Sequence, residues 1–274
     1  MHDRTSELTR PRPRVVLLCS GLDPSGGAGL LLDAAFVRAS GAHAAGLVTC
    51  RTRQTPRRVT GVVPVRPEEI RADLAALLRD LPVDAIKVGL FGSPATARVL
   101  ADAARRSGAP LVVDPVLTSS TGFRFASPAA VRALKADLFP AAALVTPNRA
   151  EAEALSGRPV GSVADAADAA RRLLALGPKA VLVKGISAHG RRTDVLVERA
   201  RRPRVFSARE IAKADPHGTG CALAAGIAAE LAAAVPLAEA IRRARRRLLA
   251  AIRRRFAPAP RGLEFLSPGP WRTR

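Results

Sequence analysis

Seven short, nearly continuous apolar runs alternate with longer Ala-rich stretches of helical period. This alternation constrains the chain more than any other feature. The runs are "RVVLLCSG" (14–21), "AAGLVTC" (44–50), "VTGVVPV" (59–65), "DAIKVGL" (84–90), "PLVVDPV" (110–116), "ALVTPN" (143–148) and "AVLVKG" (180–185). Between them lie Gly27–Ser40, Pro67–Arg79, Pro94–Ser107, Ser127–Lys135 and Val163–Leu176. Apolar strands without polar alternation must be covered on both faces, and helical crossovers do this. The pattern predicts an α/β fold: three αβα layers around a mainly parallel central sheet. "DVLVERARRPRVFSA" (194–208) reads as a hairpin around a basic turn, and 237–256 as a closing helix. In that helix Leu237, Ile241, Leu248, Leu249, Ile252 and Phe256 recur at helical spacing.

A chain of 274 residues can bury one large core, so a single domain over 14–256 is expected, with a tail at 1–13 and a Pro-rich tail at 257–274 running over the surface. No apolar stretch is long enough to span a membrane. The N-terminus lacks the apolar segment of a signal peptide, and a cytoplasmic location is the expectation. Cys19, Cys50 and Cys221 are an odd number without CxxC spacing, which argues against a disulfide framework or a zinc site. The net charge of +21 is mostly scattered arginine. With no tyrosine and few other aromatic residues to stack on bases, it predicts a solvated basic surface and no nucleic-acid partner.

In open α/β sheets ligands sit beyond the carboxyl ends of the strands. The first strand ends in "SGLDPSGGAG", with Gly21 and Asp23 before a Gly-rich turn; it is neither a GxGxxG nor a P-loop. Later strand ends bring Asp114, then Asn148 and Glu151, then Lys184. Asn148 and Glu151 also fit a helix cap and its acidic first-turn partner. Together the four positions suit a polyanionic ligand or a metal. "HGTGCALAAG" (217–226) places His217, Gly218, Thr219, Gly220 and Cys221 at the mouth of an apolar helix. Free amides and the positive helix end make such a turn an anion hole. At that position the dipole is expected to lower the thiol pKa of Cys221.

"GLDPSGGAG", "VDAIKVGLFGS", "VVDPV", "LVTPNRAEAEAL", "VLVKG" and "HGTGC", in this order, resemble the hydroxymethylpyrimidine/phosphomethylpyrimidine kinases of thiamine biosynthesis, within the ribokinase-like superfamily. The resemblance spans roughly residues 14–256. It implies transfer of the γ-phosphoryl group of ATP, with Mg2+, to a pyrimidine hydroxymethyl group and then to the monophosphate. A related ring alcohol such as pyridoxal, or binding without catalysis, are the other readings. The resemblance places Cys221 as base within the Gly218–Thr219–Gly220 loop. It puts Gly21, Asp23, Gln54 and Leu90 at the pyrimidine. Asn148, Lys184 and His217 fall to the nucleotide, and Asp114 and Glu151 to the metal. It also implies a homodimer. The sequence departs from the family at Arg51 and Arg53 and in "LTSSTGFRF" (117–125), which lacks the family's Lys and Asp.

Overall fold

The computed structural model describes residues 12–211, 216–258 and 263–269. Among the described residues nine strands form one sheet in the order β3-β2-β1-β4-β5-β6-β7-β8-β9. They are β1 (Val15–Leu22), β2 (His43–Thr55), β3 (Arg58–Pro64), β4 (Ala85–Val88), β5 (Leu111–Val113), β6 (Leu144–Val145), β7 (Ala180–Ala188), β8 (Arg191–Glu198) and β9 (Arg204–Arg209). The six strands from β2 to β7 in that order are parallel, and antiparallel strands close both edges. The predicted hairpin is β8–β9. The chain runs outward from β1 on one side, then resumes at β4 on the other. That reversal opens a crevice at the carboxyl end of β1.

Strand β1 shows how both faces are filled. Val15, Leu17 and Cys19 pack with α2 (Pro67–Asp80), α3 (Pro94–Ser107) and α7 (Val163–Leu174). Val16 and Leu18 pack with α1 (Gly29–Ala39), α8 (Thr219–Ala232) and α9 (Leu237–Arg253). Between α3 and α7 the expected helix at 127–135 is α4 (Pro128–Ala133). It continues through a π turn at Leu134–Leu138 into the short α5 (Phe139–Ala141). Helix α6 (Arg149–Ser156) follows β6.

Helix α8 is apolar on all sides from Ala222 to Ala229 and buried there, as a central helix must be, while its first turn opens to the cavities. Gly226 lets α9 lie close, since an added Cβ would meet Ala244 Cβ at 3.3 Å. The arginines of α9 pair with carboxylates: Arg242 and Arg243 with Glu239 on the exposed face, Arg247 with the buried Glu230, and Arg245, itself largely enclosed, with the buried Asp194. The exposed pairs contribute little stability. No described helix is long and apolar enough to cross a membrane.

The termini differ from expectation. The N-terminal tail lies mostly outside the described residues, but Arg12 is fixed to Asp84 by a bidentate contact of 2.8 and 3.1 Å. The C-terminal segment 263–269 is not a surface tail. Phe265, Leu266 and Ser267 are buried, and Phe265 bridges to both Phe256 and His217. Apolar residues between the prolines account for the difference: they cover the far side of the His217 turn.

Candidate active site

Among the described residues, two sizeable cavities open at the carboxyl ends of the strands. The larger, of about 440 Å³, holds Gly21, Asp23, Gln54, Leu90, Asp114, Glu151, His217 and Cys221. The second, of about 190 Å³, lies between the β8–β9 hairpin and α9 and is lined by Asp194, Ile211, Leu223, Arg245 and Ile252, among others. Asn148, Lys184, Pro216, Thr219 and Gly220 line both. The cavities therefore meet at the start of α8, and all thirteen residues singled out in the sequence lie around them.

The turn before α8 is made by geometry that only glycine accepts easily. Gly218 has φ +81°, and a Cβ there would meet Gly27 O at 2.3 Å and Leu32 Cδ2 at 2.4 Å. The first intrahelical bond is Ala222 N–H to Gly218 C=O, at 2.9 Å. The amides of Thr219, Gly220 and Cys221 are thus left unbonded within the helix, at its positive end. Gly220 provides space: a Cβ would stand 3.0 Å from Lys184 Nζ and 3.9 Å from Asp114 Oδ2.

Beneath this turn Lys184 Nζ donates to Asp114 Oδ1 at 2.6 Å, and Thr146 Oγ1 donates to the same oxygen at 3.1 Å. Burial alone would raise the Asp114 carboxyl, but the Lys184 and Lys87 charges outweigh it and hold it below its usual value. Asn148 and Glu151 form a capping box at α6: Asn148 Oδ1 accepts from Glu151 N at 2.9 Å, and Glu151 Oε2 from Asn148 N at 2.8 Å. The cap reading and the cavity reading both hold. Burial pushes Glu151 up to about 7; Lys184 opposes this and the Asp114 charge adds to it.

Among the described residues no three His, Cys, Asp or Glu side chains form a metal-holding group. Mg2+ does not require one, because it binds through one or two carboxylates together with substrate phosphates. Asp114 and Glu151 in one cavity supply that donor set.

Cys221 corrects an expectation. Burial pushes its thiol up to about 12. The Lys87 charge and a Gly29 amide pull the other way, and Asp114 and Asp33 add to the rise. The thiol is therefore neutral at rest; the helix dipole does not overcome desolvation and two carboxylates.

His217 is also placed differently. It lines only the larger cavity. Its Nε2 lies 3.0 Å from Gln54 Nε2 and 3.4 Å from Asp23 Oδ2, and its Nδ1 lies 3.0 Å from Ser120 Oγ. It belongs with Gln54 and Asp23, away from the hairpin cavity. The aberrant arginines prove peripheral: Arg51 and Arg53 are exposed, while the alternate residues Thr52 and Gln54 face the cavity. The "LTSSTGFRF" loop folds back on itself through Ser119 N to Phe123 O at 2.8 Å and Phe125 N to Leu117 O at 2.9 Å. It places Ser119 and Ser120 over the cavity.

Sequence reading missed Ser120 and a second buried cluster. Lys87 Nζ donates to Asp33 Oδ2 at 2.6 Å and to Ser20 Oγ at 3.1 Å, and Ser20 Oγ donates to Asp33 Oδ2 at 2.7 Å. Neither Lys87 nor Asp33 is exposed. Burial alone would lower Lys87, but the Asp33 carboxylate above all, with Asp114, raises it and keeps it charged. The only signal was a lysine inside an otherwise apolar strand.

The family profile for phosphomethylpyrimidine kinase matches residues 23–262. A hydroxymethylpyrimidine/phosphomethylpyrimidine kinase of Rhizobium meliloti is 40% identical over 240 residues, covering 87% of this chain and 90% of that protein. A phosphomethylpyrimidine kinase crystal structure from Clostridium difficile superposes with a TM-score of 0.76 at 30% identity, over 87% of this chain and 99% of that one. The ADP complex of Bacillus subtilis pyridoxal kinase superposes with a TM-score of 0.84 at 28% identity, over 93% and 97%. The architecture is the three-layer ribokinase-like fold. The chain belongs to the phosphomethylpyrimidine kinase family.

Proposed function

We propose that the protein transfers the γ-phosphoryl group of ATP to 4-amino-5-hydroxymethyl-2-methylpyrimidine, and then phosphorylates the monophosphate. The observation that carries this reading is the meeting of two cavities at Thr219 and Gly220, with Lys184 lining both. One cavity suits an apolar base and the other a small polar ring. Their junction suits a phosphoryl group in transit.

The hairpin cavity takes the adenosine, between Ile211, Leu223 and Ile252. Lys184 and the amides of Thr219, Gly220 and Cys221 hold the triphosphate end. Asp114 and Glu151 would hold Mg2+, which supplies charge neutralisation at the phosphates. The hydroxymethyl oxygen attacks the γ-phosphorus from the Cys221 side, its proton passes to an oxygen of the transferring phosphoryl group, and the bond to the bridging oxygen of the leaving ADP breaks. Charge gathers on the transferring oxygens, where the amides and the Lys184 ammonium lie in a site pre-organised before the reaction. Phosphoryl transfer of this kind depends mostly on positioning and electrostatics. That suits a neutral Cys221, because a thiol accepts the hydroxyl proton only once ionised.

A second reading, pyridoxal phosphorylation, is supported by the likeness to pyridoxal kinase. ADP release measured with each alcohol separately tests both. The first reading predicts turnover with the aminopyrimidine at low concentration; turnover confined to pyridoxal would replace it with the second.

A further inference from the structure

The C-terminal segment 263–269 ties together pieces of the site that are far apart in the chain. Leu263 lines the larger cavity, and its N–H donates to Pro56 O at 3.1 Å, in the turn between β2 and β3. Glu264 O accepts from His217 N–H at 2.8 Å. Phe265 and Phe256, beyond the end of α9, exchange both backbone bonds, at 2.7 and 3.0 Å. Arg255 Nε donates to Glu264 Oε2 at 2.6 Å and anchors the segment from the side. The Phe265 ring is buried, with the His217 ring centred 6.4 Å away and Phe256 edge-on at 6.1 Å. Gly27, in the turn after β1, closes the other side. A Cβ there would stand 2.6 Å from Phe265 Cε1 and 2.8 Å from His217 Cδ2, so only a hydrogen fits. The turn that starts α8 needs such a hold. Gly218 and Gly220 bring backbone freedom and no side chain to pack, so the pose of the turn must be fixed from outside.

We propose that Phe265 is a positioning residue for phosphoryl transfer: wedged between Gly27, His217 and Phe256, it holds the Gly218–Cys221 turn in place, and the C-terminal segment is therefore part of the active site. This rests on the reading that the amides of that turn receive the transferring phosphoryl group. Donors fixed before the reaction need no reorganisation as charge develops. A turn that drifts loses that advantage in the transition state, while the bound substrates, held by many other contacts, notice it less.

Steady-state kinetics with ATP and the aminopyrimidine alcohol test this in the full chain. Phe265→Ala should lower kcat by about 10- to 100-fold, the cost of misplacing a pre-organised group. KM for both substrates should move by less than about threefold, because the contact acts in the transition state. Phe265→Leu, which keeps apolar bulk, should recover most of the rate. Leu266→Ala is the control for lost packing: Leu266 lies in the same segment but in the core on the α8 side. It should lower the melting temperature and leave kcat alone. Gly27→Ala presses on Phe265 from the opposite side and should lower kcat by itself. Phe265→Ala should then cost less in the Gly27→Ala background than in the wild type, as residues sharing one contact are not additive. Phe265→Leu takes its place in that cycle if Phe265→Ala fails to fold. Amide exchange followed by NMR reads the turn without turnover. The His217 and Ala222 amides, bonded to Glu264 O and Gly218 O, should exchange faster in Phe265→Ala than in the wild type or Leu266→Ala. An unchanged kcat in the folded Phe265 variants, a loss matched by Leu266→Ala, or a change confined to KM overturns the proposal. A wild type without turnover, whose His217 and Ala222 amides still exchange faster in Phe265→Ala, would instead reject the kinase reading and leave the hold on the turn standing.

Discussion

Lys184 Nζ and Asp114 Oδ1 stand 2.6 Å apart, both nearly buried, directly under the first turn of α8. The pair joins the ends of β5 and β7 and puts one positive and one negative charge at the junction of the two cavities. Lys184→Met leaves Asp114 buried without its partner. It should cost about 3–5 kcal/mol of stability, and Lys184→Met with Asp114→Asn should cost less than Lys184→Met alone. Urea denaturation of both variants checks this; equal losses would mean the pair is not coupled.

Gly218 and Gly220 should fail in different ways. Gly218→Ala strains a φ of +81° and drives a Cβ into Gly27 O, so the melting temperature should fall sharply. Gly220→Val meets Lys184 Nζ at close range and crowds the amides, so activity should be lost with the fold retained. Circular dichroism beside a turnover assay separates the two outcomes.

With its thiol pushed up to about 12, Cys221 should alkylate slowly at neutral pH. Its rate should still be rising at pH 10, because the reactive species is the thiolate. Cys19 and Cys50 are enclosed and pushed up to about 12 and 11, so peptide mapping should find the label on Cys221 first. A plateau near pH 8 would show a thiolate already formed at rest. Cys221→Ser should lower kcat, by less than the roughly 10²- to 10⁴-fold of a full general base, with ATP affinity little changed.

Gln54→Ala should raise KM for the aminopyrimidine by the equivalent of about 1–3 kcal/mol, since the ligand amine would lose its acceptor. Unchanged KM would place the ring elsewhere in the cavity.

The sheet was legible in the sequence because parallel strands buried on both faces read as unbroken apolar runs. β1, β4 and β7 are close to their expected positions for that reason. Asp23, Asp114, Asn148, Glu151 and Lys184 were legible as polar residues at strand ends, and they do converge. The pairings that set their chemistry were not legible, because they join distant positions. Lys87 finds Asp33 across 54 residues and Ser120 finds His217 across 97. The Cys221 thiol was misjudged for a related reason: its helix position was visible, but its desolvation and the nearby Asp33 and Asp114 carboxylates were not. The C-terminal prolines suggested a surface path, while the Phe265–Leu266 pair between them is what packs.

The most direct test is the mass of the product formed when the protein is incubated with ATP, Mg2+ and 4-amino-5-hydroxymethyl-2-methylpyrimidine, with Gly220→Val as control. The wild type should add one phosphoryl group to the alcohol and then a second, and the control should add none. A folded wild-type protein that leaves the alcohol unmodified would contradict the account.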